Sequence, residues 1–160
     1  MSDSPWREVV VNREIPAAAA DGFWTPVLDY VPAGTILKIQ ARGRWNYSDE
    51  SAALVGPAGD PASPVARDQL LNAKACIGAL VGKIGGSTGE KEGDHSFVVG
   101  SYCVLEVPEK KAGALMLAMN NLGTARVGSS EPLLVSIHRY QTAPAPNPQI
   151  VIPEAPTEIG

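Results

Sequence analysis

The segment Thr35–Trp45, TILKIQARGRW, constrains the fold more than any other stretch of the chain. Leu37, Ile39, Ala41, Gly43 and Trp45 alternate with Lys38, Gln40, Arg42 and Arg44. A period of two puts the first set on one face of a β-strand and the second on the other. One face is then apolar and the other basic, as in an antiparallel strand with one side on a core and the other in water. Pro32 and Gly34 supply turn chemistry just before it, so the strand has a defined start.

Further strands are expected at residues 7–11, 22–30, 79–84, 96–107, 114–119 and 133–140. Runs such as ALMLAM are short and closed by glycine or proline, which favours strands buried on both faces over helices. The 16 glycines and 14 prolines among 160 residues also argue against a helical bundle. Only residues 64–75, PVARDQLLNAKA, hold enough good helix formers for a helical turn or two. The end of the chain, QTAPAPNPQIVIPEAPTEIG, is proline-rich without a packing period and reads as an extended tail. The expectation is an all-β sandwich over residues 6–140, followed by a tail at 141–160.

A hydrophobic content of 44% in 160 residues suffices for one domain with a real core. With 13 basic and 17 acidic residues, a net charge of −4, the chain offers no basic surface for phosphates, so nucleic acid is not an expected partner. No apolar run approaches the roughly eighteen residues of a membrane helix, and no membrane insertion is expected. The opening MSDSPWREVV lacks the basic and apolar regions of a signal peptide. A cytoplasmic pool is therefore expected, with a non-classical route for any export. Cys76 and Cys103 lie in apolar segments and are expected to be buried thiols.

Few constellations carry chemistry. The glycines of GKIGGSTG lack Walker spacing and read as a strand followed by a turn. His95 lies in the polar context KEGDHSF, and His138 alternates with Leu134 and Ser136 on the last strand; neither has metal-pair spacing. Asp49/Glu50 and Glu90/Glu92 read as solvated turns, and no Gly-x-Ser-x-Gly elbow is present. Trp45 belongs to the apolar face of its strand, whereas Trp24, beside Phe23 and ahead of Pro26, is less constrained and free to be either buried or exposed. The loop NNLGTARVGSSE, residues 120–131, gathers small polar residues at a strand end. Such loops present oxygens to hard cations and hydroxyl-rich ligands.

Four segments together resemble a known family: YVPAGTILKIQARGRWNY at 30–47, GPAGD at 56–60, CIGALVGKIG at 76–85 and GALMLAMNNLGT at 113–124. In this order and near this spacing the chain resembles the calcium-dependent, galactose-binding bacterial lectins of the PA-I type. The resemblance covers about residues 30–137, and its most specific piece is GALVxKIG. It implies a jelly-roll β-sandwich of galactose-binding-domain type and assembly as a homo-oligomer, since those lectins are tetramers. It also implies a calcium site. The carbonyl of Tyr47, the side chain of Asn121, the carbonyl of Thr124, and Ser129 and Ser130 fall on the positions that hold the ion. Ser63, Asp68, Asn121, Leu122 and Ser129 fall on or near those that touch the sugar.

The ligand set departs from the family. Asn121 stands where the family has an aspartate, Ser129 and Ser130 where it has two asparagines, and the stretch just after GPAGD, Ala62-Ser63-Pro64 and on to Asp68, has no histidine. Calcium affinity follows ligand charge, so these changes weaken the implied site unless Asp49, Glu50 or Glu131 restores a carboxylate. The expected function is that of a non-catalytic, carbohydrate-binding lectin-like protein with an altered sugar site, in which direct hydrogen bonds replace chelation. The alternative is an oligomeric interaction module that has lost sugar binding, with the tail as tether. No acid, base or nucleophile set suggests an enzyme.

Overall fold

The computed structural model describes residues 4–20, 22–48, 54–89, 96–121 and 130–141. Among the described residues, ten strands run in the order β1 (Trp6–Ile15), β2 (Thr25–Val31), β3 (Ile36–Arg42), β4 (Trp45–Asn46), β5 (Leu54–Val55), β6 (Leu80–Ile84), β7 (Phe97–Val98), β8 (Tyr102–Glu106), β9 (Gly113–Met119) and β10 (Leu133–Tyr140). One sheet has the order β1-β10-β3-β8 and the other β2-β9-β6-β7, while β4 and β5 form a separate ribbon. Every pairing within the sheets is antiparallel. The chain crosses between the two four-stranded sheets at β1–β2, β2–β3, β7–β8, β8–β9 and β9–β10, while β6 and β7 are neighbours within one sheet, a two-sheet arrangement of jelly-roll type.

The alternation in β3 is realised as the sequence dictates. Leu37 and Ile39 face the interior with Val135 and Ile137 of β10 and Leu115 and Leu117 of β9, all of them buried. Each such side chain contributes about 1.5–3 kcal/mol by leaving water. β9 is buried on both faces: Leu115, Leu117 and Met119 point between the sheets, and Met116 and Ala118 point outward into a second cluster with Trp24, Leu71, Ala75 and Val81. The chain between β5 and β6 supplies the cover for that outer face. It contains the 3-10 turn Arg67–Gln69, in the segment expected to be helical.

The structure corrects several boundaries. β3 ends at Arg42, because Gly43 takes φ +106°, and Trp45 begins the separate ribbon. The single strand expected over 96–107 is two strands in different sheets, divided at Gly100 with φ +64°. β1 extends four residues beyond Val11, through two register shifts against β10. Trp24, whose exposure the sequence leaves open, is fully buried: β2 starts only at Thr25, and the indole belongs to the outer cluster, 5.2 Å from the Lys83 ammonium. Cys76 and Cys103 are free but only partly buried. Among the described residues, no helix is long and apolar enough to cross a membrane.

Candidate functional site

β3, β9 and β10 place their 42, 119 and 133 ends together at one end of the sandwich, which collects the loops after β4 and β9 and before β10. Asn120 anchors this end. Its side chain is fully buried where β9 ends; Oδ1 accepts from the Asn72 N–H at 2.8 Å, and Nδ2 lies 2.9–3.1 Å from the carbonyls of Asn72, Ala75 and Cys76. The Asn120 carbonyl accepts from the Gly78 N–H at 2.7 Å. Asn72 in turn spans to Ser96, donating from Nδ2 at 2.9 Å. A buried amide satisfied on both ends favours one conformation of its loop, because displacement leaves buried polar groups without partners.

Asn121 follows directly and is nearly buried. Its Nδ2 donates to the Tyr47 carbonyl at 3.2 Å, joining positions 74 apart in the chain, and its own carbonyl accepts from the Leu71 N–H at 3.2 Å. One residue before Tyr47, the Asn46 N–H donates to Ser130 Oγ at 2.9 Å, and that hydroxyl donates to the Glu131 carbonyl. The Tyr47 hydroxyl donates to Asp60 Oδ2 at 2.8 Å, while Asp60 Oδ1 accepts from the Ala62 N–H at 2.9 Å. Ser63 Oγ accepts from the Val65 N–H at 3.3 Å.

Tyr47, Asn121 and Ser130 are therefore brought together from three separate segments. Ser63 lies in the turn begun by Asp60. Asp68 lies within the exposed 3-10 turn, in the segment that leads to the contact between Leu71 and Asn121. Leu122, Thr124 and Ser129, expected to touch sugar or metal, lie outside the described residues, as do Asp49, Glu50, Glu90, Glu92 and His95. His138 is far from this end in register, opposite Lys38 on β3 and 3.8 Å from Glu8.

Three contributors were not assigned from sequence. Asp60 is the carboxylate bonded to Tyr47, although GPAGD had been singled out as a motif. Its preceding residue, Gly59, has φ +80°, and a Cβ there would sit 2.7 Å from both the Ala79 nitrogen and the Ile77 carbonyl oxygen. Gly78 is as constrained: with φ +86°, its Cβ would come within 2.8 Å of Val55 and 3.2 Å of the Tyr47 ring. The Gly78 carbonyl also accepts from Trp45 Nε1 at 2.7 Å. In the sequence Asn120 marks only the start of a polar loop, and its anchoring role shows only in its contacts. Glycines in tight stretches are the signal for such close approaches.

Of the oxygens implied as ligands, those described are neutral, and the Tyr47 carbonyl already accepts an N–H from Asn121, whereas shared calcium needs oxygens from both. Among the described residues, no three or more His, Cys, Asp or Glu side chains are grouped to hold a metal. The described donors do not by themselves fit calcium.

No protein-family model matches the chain, and no curated protein matches it. Among solved structures the fold is similar to one described as "EclA N-terminal domain; PllA-like lectin", with a TM-score of 0.54 and 19% identity over 85% of this chain and 98% of that one. At this identity the likeness is one of fold.

Proposed function

We propose that this chain is a non-catalytic carbohydrate-binding protein whose sugar site lies at the Tyr47–Asn121–Ser130 end of the sandwich. The observation that carries the reading is the hydrogen bond from Asn121 to the Tyr47 carbonyl. It joins two positions that the resemblance to PA-I type lectins assigns to ligand binding, in a fold shared with a lectin domain. Tyr47, Asp60, Ser63 and Ser130 are all partly exposed there, so an incoming ligand would add to, or exchange with, the hydrogen bonds that their oxygens make within the protein. Sugars are recognised by such convergent acceptors and donors on a rigid scaffold.

In this reading the hydroxyl groups of the sugar bond directly to protein oxygens and amides, with Asp60 as the charge-assisted acceptor. Asp60 supplies the negative charge that Asn121 lacks. Asn120 and Gly78 position the loops without touching sugar. The test is binding to a glycan array, with calcium and with EDTA, for the wild type and for Asn121→Ala. Binding that survives EDTA and is lost in the variant supports a metal-free site. Binding only with calcium would mean that oxygens of the 122–129 loop complete a metal shell. No binding in either condition overturns the lectin reading in favour of an interaction module.

A further inference from the structure

At the opposite end of the sandwich, where β1 begins and β10 ends, Arg7 and Arg139 sit directly across from each other in the β1–β10 register. Residues opposed in an antiparallel pair share a face, so the two guanidinium groups point the same way. They line an open cleft of about 380 Å³ together with Tyr140 and Gln141. Among the described residues neither arginine has an ion-pair partner; the one pair found there joins His138 and Glu8. Glu8 belongs to the opposite face, opposed to His138 rather than to Arg139.

The cleft is organised. Gln141 is tied to the strand start by its N–H to the Pro5 carbonyl at 2.6 Å, and its Oε1 accepts from Arg7 Nε at 3.1 Å. On the opposite face of the same strands Trp6 and Tyr140 meet edge to face, with ring centroids 5.2 Å apart, and Lys38 lies 4.7 Å from the Trp6 ring centre, which fixes the strand ends that carry the two arginines. Like charges directly opposed on neighbouring strands are unfavourable. Two forked guanidinium groups on one wall of a cleft become favourable when an oxyanion bridges them, since each fork can offer paired N–H donors.

From this geometry we propose that the Arg7–Arg139 cleft is a second binding site, separate from the sugar site, for a compact oxyanion: a carboxylate or phosphate group carried by a small ligand. Held by Gln141, Arg7 presents its remaining N–H groups to the cleft, and Arg139 closes on the anion from the adjacent strand. Nothing in this assignment depends on sugar binding at the Asn121 end.

The experiment is an NMR titration of the full chain, following the Arg Nε–H resonances, at ionic strength held constant with potassium chloride. Inorganic phosphate and glucuronate are the probes, with glucose as the uncharged control. The expected result is a saturable shift of the Arg7 Nε–H signal with at least one anion and none with glucose. Arg139→Gln should weaken the response at least tenfold, and Arg7→Gln should abolish binding seen by calorimetry. Tighter glucuronate binding would identify a sugar-borne carboxylate; tighter phosphate binding would identify a phosphate group. A response linear in anion concentration, or one unchanged in Arg139→Gln, would overturn the proposal. Both arginines are exposed, so these variants should leave folding intact.

Discussion

Replacing Asn120 with alanine tests the anchor on which the proposed sugar site rests. The side chain is fully buried, and its removal takes the acceptor from the Asn72 N–H and the donors from three carbonyls. Two of those carbonyls keep another partner: Asn72 accepts from the Ala75 N–H and Cys76 from the Ala79 N–H. The groups left stranded are the Asn72 N–H and the Ala75 carbonyl. At about 1–3 kcal/mol for each buried group without a partner, the expected loss is about 2–6 kcal/mol. For a domain of this size a loss of about 4 kcal/mol lowers Tm by roughly 10–15 °C. Urea unfolding and thermal melting followed by circular dichroism would measure both quantities.

Asn120→Asp sharpens the same test. An aspartate keeps the acceptor for Asn72 but turns its second oxygen toward carbonyls, so its folded-state pKa is raised above the unfolded value of about 3.9. A raised pKa means that the stability is present below the unfolded pKa and is lost as pH rises through the folded one. This variant should therefore be more destabilised, relative to wild type, at pH 7 than at pH 4. An alanine variant melting within about 2 °C of wild type, or an aspartate variant with no added pH dependence, would refute the account of Asn120 as the anchor.

Gly78→Ala should destabilise the protein by about 1–3 kcal/mol, from a positive φ and a Cβ pressed against Val55 and Tyr47, and should weaken glycan binding because Tyr47 is displaced; chemical denaturation and array binding would check it. Tyr47→Phe removes the hydroxyl that holds Asp60 and should cost about 1 kcal/mol in stability while lowering sugar affinity, measurable by calorimetry. Excess calcium against EDTA should leave Tm unchanged if the site is metal-free, since only a ligand that prefers the folded state raises stability; a clear upward shift with calcium would show a metal site completed by the 122–129 loop. Burial pushes the Cys103 thiol pKa up. Its alkylation should lag that of a model thiol at pH 8–9, and its contribution to stability should be level below the unfolded thiol pKa of about 8.5 and decline above it, as urea unfolding across pH would show.

Much of the sandwich was legible because strand geometry is local. The alternation of Leu37 and Ile39 with Lys38 and Gln40 needs only a period of two to define its two faces, and the uninterrupted ALMLAM needs only its composition to call for cover on both sides. Gly43 and Gly100 were visible as residues, yet the places where the chain leaves one strand and starts the next depend on where its partners lie. Tyr47 and Asn121 were legible as site residues through the resemblance. Asp60 and Asn120 were not, because their roles depend on contacts with residues far along the chain.

The sequence by itself determined the all-β class, the core face of β3 and the double burial of β9, since each follows from the order of apolar and polar side chains along a single strand. Only the tertiary structure decided that Trp24 is buried, because its cover comes from the chain between β5 and β6 folding over the outer sheet face. It likewise decided that Arg7 faces Arg139, as strands from opposite ends of the chain become neighbours only when the jelly roll closes. Pairing between distant segments is set by register and by the competition of all strands for one core, and no local pattern encodes it.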